Sequence, residues 1–201
     1  MRAIVRSSFV SWSAQFESLL DFLYCDVKRL VTTGLGNLVD SVAAVRSLIF
    51  VHKDGSVASA VEVVAYWNAV KHSTLNPLNG GEQYASLSDL RIVHTSLDRL
   101  ISLKLAEMER QLRLSFPTWD DFPADAQLAC LSMAWAMGQY FVPKWPHFKA
   151  ACDAHDWGEA AANCHMSETS QNDSFHHRND ANVALFIAAS ITTDPELLHA
   201  A

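Results

Sequence analysis

The chain has no unbroken run of 18 apolar residues, so no membrane-spanning helix is expected. It has no cluster of lysine and arginine either. With a net charge of −7, it lacks the phosphate-neutralising surface on which nucleic-acid affinity rests. A G-x-S-x-G elbow for a serine hydrolase is missing, and so is a glycine loop for phosphate. The four cysteines (Cys25, Cys130, Cys152 and Cys164) form no CxxC pair. Their even number permits two disulfides but dictates no pairing, and buried free thiols are the expected state. The start, MRAIVRSSFVSWSAQF, has neither the apolar core nor the small-residue cleavage site of a signal peptide. No internal repeat stands out.

What remains is a globular composition. The 201 residues are half apolar and 18% charged, enough for a substantial core in one large domain or a two-lobed one. Helices are expected within 41–53, behind a Ser41 cap, and over 56–72, where Val57, Val61, Val64, Trp67 and Val70 form a stripe. Residues 73–87 hold Asn-Pro, Asn-Gly and Gly-Gly and read as a loop. A long helix is expected from Ser88 to about Leu114, with Leu97, Ile101, Lys104, Leu105 and Met108 on its apolar side; it would span about 40 Å. Residues 123–138 are apolar on every side and should form a buried helix. Further helices are expected from Trp145 and from Arg178, with a polar loop over 167–177 between them.

The most informative stretch is 17–36, ESLLDFLYCDVKRLVTTGLG. Phe9, Trp12, Phe16, Leu19, Leu20 and Leu23 recur at three- and four-residue steps, the period of an amphipathic helix. From Tyr24 that rhythm gives way to a β-branched, glycine-punctuated segment, as in a short strand with a tight turn. Glu17 is therefore expected in the last turns of a helix, with Asp26 and Thr32 on the segment beyond. A carboxylic acid and a carboxylate held in different environments can divide acid and base roles. The bland reading is an ordinary N-cap aspartate and a solvated glutamate on a helix end.

Glu17, then Tyr24-Cys25-Asp26, then Thr32-Thr33-Gly34-Leu35-Gly36 resembles the phage-type lysozymes, the muramidases of T-even phage and lambdoid endolysins. Their pattern is Glu, Tyr-x-Asp, Thr-x-Gly-x-Gly. Met137-Gly138 and Trp157-Gly158-Glu159-Ala160-Ala161 also match family segments, and the likeness runs from about residue 9 to 187. The resemblance implies an α+β fold, mostly α-helical and lysozyme-like. A small β-hairpin lobe (9–87) and a helical lobe (115–201) would be joined by a long helix (88–114), with a cleft between the lobes. It implies cleavage of the β-1,4 bond between N-acetylmuramic acid and N-acetylglucosamine in peptidoglycan.

Glycosidases of this kind flank the sugar bond with two carboxyl groups. Glu17 is expected as the general acid, because packing against Phe16 and Leu20 would desolvate it. Asp26 would activate water and Thr32 would hold that water. Gly34 and Gly36 would let the backbone approach the sugar, and Ser132, Gln139, Asn163 or Asn172 could reach it from the helical lobe. Arg178 keeps part of the family's Arg-Arg-x-x-Glu pattern and is expected across the cleft floor. Among the tryptophans, Trp119 and Trp145 are the candidates for exposure. Neither Cys152-x-x-His155 with Cys164-His165 nor His176-His177 has paired zinc spacing, so neither metal nor cofactor is expected. Expected partners are peptidoglycan strands and, for an injected effector, an immunity protein plugging the cleft; the protein is expected to be a monomer. It would be made in the cytoplasm and act in the periplasm after holin-type release or secretion-system injection. Two alternatives stay open: an inactive lysozyme-fold module that binds glycan or protein, and a chitin- or chitosan-type glycosidase.

Overall fold

The N-terminal helix stops earlier than its apolar spacing suggests. In the computed structural model, which describes residues 1–167 and 173–199, α1 covers Ala3–Ser13 and buries Val5, Phe9 and Trp12. Turn residues follow, and Glu17 lies in a bend after the helix, not within its last turns. The next positions form strand β1 (Leu20–Cys25). The reason for the correction is a bulge between Leu20 and Tyr24. A bulge interrupts strand alternation, so neighbouring Phe22 and Leu23 are both buried. Apolar residues at 16, 19, 20 and 23 then imitate a helical stripe.

Strand β2 (Val31–Gly34) returns antiparallel to β1, and β3 (Asn37–Leu38) completes a sheet of order β1-β2-β3. The Thr33 hydroxyl is directed at the Leu20 and Phe22 carbonyls, at 3.2 and 3.0 Å, and so secures the bulge. After β3 come α2 (Val42–Val45), capped by Ser41, β4 (Phe50–Val51) and α3 (Ala60–Lys71). Ser59 and Glu62 form a reciprocal capping box at the start of α3. The expected helix start at Ser88 is displaced because β5 (Arg91–Ile92) pairs with β4, and α4 then runs over His94–Ser115.

Residues Glu17–Lys104 form one compact unit. Its core gathers Phe22, Leu23, Cys25 and Val31 from the hairpin with Val63, Tyr66 and Val70 from α3. Tyr84 joins them fully buried, although it comes from the segment read as a loop; that segment is partly 3-10 helix over Glu82–Leu87. The Tyr66 hydroxyl accepts from Leu23 N at 3.1 Å, which satisfies a backbone group left over at the bulge.

The second unit combines Met1–Phe16 with Leu105–Ala201. α1 therefore belongs with the helices, whereas the sequence grouped residues 9–87 together. The physical reason is α5 (Ala124–Met137), against which α1 packs, with Phe9 4.9 Å from Trp135 between ring centroids. α5 is buried along nearly its whole length, as its composition predicted. α8 (Asp173–Ile191) packs on it, α7 (Trp157–Ala162) packs on α8 and α6 (Pro146–Asp153) on α7, and α8 absorbs part of the expected 167–177 loop. Trp119, expected to be exposed, is buried. The fold is α+β, mostly helical with small antiparallel sheets. Among the described residues no helix is long and apolar enough to cross a membrane.

Candidate active site

The hairpin brings the candidate residues together by register. Tyr24 pairs directly with Thr32, so their side chains share one face, while Cys25 and Val31 pair on the other and enter the core. Asp26 follows β1 in the connecting turn. Its Oδ1 accepts from Lys28 N and Leu30 N, both at 2.9 Å, and this forms the turn that Arg29 completes with φ 59°. The second oxygen is not used by these two bonds. Beneath the turn, Lys71 reaches Arg29 O at 3.1 Å and Asp40 at 2.7 Å, and Asp40 accepts from Val31 N. Burial pushes the Asp40 carboxyl up, but the hydrogen bonds from Lys71 and Val31 outweigh it and hold the group below the usual carboxylate range.

The Thr32 hydroxyl donates to Leu30 O at 3.0 Å, which leaves its lone pairs to accept a hydrogen bond from water. Gly34 and Gly36 follow. A Cβ on Gly34 would lie 3.0 Å from Asn37 Oδ1, a buried acceptor with no partner among the described residues. A Cβ on Gly36 would lie 3.0 Å from Glu17 Oε2, and φ is +66° there. The Glu17 carboxyl thus lies against bare backbone at Gly36. Lys104, from α4, donates to Gly36 O at 3.0 Å.

Tyr24 links these groups. Burial, then the charges of Glu17 and Asp26, push its phenol far above the usual tyrosine value, opposed by a hydrogen bond from the Gly36 backbone. Glu82 adds a smaller push, and is itself held low by the Ser18 hydroxyl, which donates to it at 2.7 Å. Glu17, Asp26, Thr32, Gly34 and Gly36 all fall in the 17–104 unit, as do Tyr24, which the sequence placed in the motif without a role, and Lys104, which it placed on a helix face. A signal for Lys104 was present: a lysine on the apolar side of a helix needs a partner, and here it is a glycine carbonyl.

The other candidates lie in the helical unit. Ser132 is fully buried, and its carbonyl and hydroxyl face Arg178 Nη1 at 3.4 and 3.5 Å. Arg178 is 1% exposed and sits over the Phe16 ring at 4.9 Å. Asn163 caps α7 through Glu159. It also lines, with half-buried Trp145, a hollow of about 370 Å³ that includes His147 and His165. Gln139 is half-buried, and Asn172 lies outside the described residues. His155, weighed as a zinc ligand, bonds to Thr118 at 3.0 Å and stacks on Trp157. No group of three or more metal-ligating side chains occurs among the described residues. All four cysteines are buried free thiols, and burial pushes Cys164 up to about 12. Compared with known proteins, the chain matches no family model and is significantly similar to no curated protein.

Proposed function

We propose that this protein is a muramidase of lysozyme-like fold that cleaves the β-1,4 bond between N-acetylmuramic acid and N-acetylglucosamine. Glu17 protonates the leaving oxygen, Asp26 activates water and Thr32 holds it. Gly34 and Gly36 form a backbone floor for the sugar, and Ser132 with Arg178 braces the helical unit. The reading is supported by one observation above all: Glu17 Oε2 lies against Gly36, the last glycine of the segment that carries Thr32, in the same compact unit as Asp26 and in the order of the phage-type motif. The enzyme would act in the cell wall, after release or injection.

A binding-only reading has one observation in its favour, the use of Asp26 Oδ1 to form the hairpin turn. The test separates the two. Purified peptidoglycan is digested with wild type, Glu17→Gln and Asp26→Asn, and fragments are identified by mass spectrometry. Asparagine keeps an acceptor oxygen for the turn but removes the charge, so Asp26→Asn should remain folded and lose turnover by at least about a hundredfold. Fragments ending in reducing N-acetylmuramic acid from wild type alone support the muramidase. Intact glycan from wild type would leave only the binding module.

A further inference from the structure

We propose that Lys71 and Asp40 are a positioning pair for this reaction: through consecutive peptide planes of the hairpin turn they orient the Asp26 carboxyl and the Thr32 hydroxyl. The inference deepens the muramidase reading and rests on it.

A trans peptide is planar and its C=O and N–H point in opposite directions, so holding one end fixes the other. The peptide between Arg29 and Leu30 is held at its oxygen by Lys71 Nζ, at 3.1 Å, and its N–H donates to Asp26 Oδ1 at 2.9 Å. In the next peptide, between Leu30 and Val31, the N–H donates to Asp40 Oδ1 at 2.9 Å. Its oxygen accepts from the Thr32 hydroxyl and from Asp26 N, both at 3.0 Å. Lys71 Nζ closes the frame on Asp40, at 2.7 Å to Oδ1 and 2.9 Å to Oδ2. One end of each plane therefore meets the ion pair, and the other meets a group the reaction uses. The Asp26 oxygen left over by the turn is the one that would activate water, and its direction follows from the bonded one.

The turn needs such a frame. Arg29 has φ 59°, which a residue with a Cβ adopts at a cost, and Lys71 binds the carbonyl of that same residue. Lys71 is the last residue of α3, so the ammonium comes from a rigid element and not from a loop. Its side chain is 26% exposed and that of Asp40 20%, which spares the pair much of the screening that weakens ion pairs on the surface. Both groups act through the backbone. Their loss displaces the reacting groups without removing a substrate contact, which lowers kcat and leaves KM in place.

The experiment compares wild type, Lys71→Met, Lys71→Arg, Asp40→Asn, the Lys71→Met/Asp40→Asn double variant and the control Ser59→Ala. The substrate is soluble, uncross-linked glycan strands, at a temperature well below every unfolding midpoint. Lys71→Met should lower kcat about tenfold with KM within about twofold. Lys71→Arg keeps a cation for Arg29 O and Asp40 and should recover most of that loss. The double variant should lose no more than the worse single one, because the two groups act as one frame. Ser59→Ala removes the cap at the other end of α3, so it should lower the unfolding midpoint and leave kcat unchanged. Should Lys71→Met not fold, Asp40→Asn, which keeps an acceptor for Val31 N, reads the same split between kcat and KM. An active wild type with kcat unchanged in the single variants, additive losses in the double one, or an equal loss in Ser59→Ala overturns the positioning role alone. A wild type that cleaves nothing overturns the muramidase reading and this inference with it.

Discussion

Replacing Gly36 by alanine tests whether the Glu17 carboxyl is held where the chemistry needs it. Two terms act at that position. The backbone has φ +66°, a left-handed conformation that a Cβ disfavours by about 1–2 kcal/mol. The smaller unfolded-state entropy of alanine offsets roughly 0.4–1 kcal/mol of that. A net loss of about 1 kcal/mol is therefore expected from the backbone alone. The second term is contact: the new methyl carbon would lie 3.0 Å from Glu17 Oε2 and must displace it. A flexible carboxyl can move, so the stability change stays small, while a displacement of even about 1 Å at a reacting group can lower turnover a hundredfold. Gly55 supplies the control, with φ +85° and nothing within 4 Å of an added Cβ. Gly36→Ala and Gly55→Ala should thus lose similar stability by urea denaturation and differ by tenfold or more in peptidoglycan turnover. Equal activity in the two variants would refute the placement of Glu17 at the reacting centre.

Two further outcomes are expected from the cores. Asn182 is fully buried with both amide atoms unpaired among the described residues, so Asn182→Ala should stabilise the protein by about 1–2 kcal/mol, read from the urea midpoint. Asn179→Ala, which removes hydrogen bonds to Met166 N and O at 2.8 Å, should do the opposite. Asp40 gives a pH signature: its folded carboxyl titrates below its unfolded value, so its contribution is fully present above the unfolded value, about 4, and disappears as pH falls through the folded one. The stability gap between wild type and Asp40→Asn should therefore be constant near neutrality and close below about pH 4; a gap that widens on acidification would contradict the Lys71–Asp40 pairing.

Much of the helical half could be read from composition. A segment as apolar as 123–138 has no face to give to water, and Pro146 marks the start of α6 because its missing N–H is unneeded there. The Thr-x-Gly-x-Gly turn was also legible, since its glycines sit at left-handed positions. Other features depended on partners distant in sequence. The bulge in β1 hid a strand inside helical spacing. In α3 the expected stripe included Val61, which is 79% exposed, while Tyr66 faces the core because the hairpin needs its hydroxyl. Tyr84 lay in a segment rich in turn residues, yet the core required its ring. Asp125 is a fully buried carboxylate on an apolar helix, and its partner is His199, bonded at 2.7 Å from 74 positions downstream. No local pattern announces such a pair.

The division of the chain also orders its biosynthesis. Residues 17–104 are contiguous, so they can complete their core while the remainder is still being synthesised. α1 is made before that unit but is buried after it, because the helix that covers Phe9 begins at Ala124 and the buried Asp125 of that helix pairs with His199. Until then Val5, Phe9 and Trp12 form an unburied apolar stripe on the nascent chain. Such a stripe is a natural client for a holdase chaperone. Slow elongation between residues 104 and 199 would prolong that exposure, whereas a pause before residue 104 would only give the first unit time to fold.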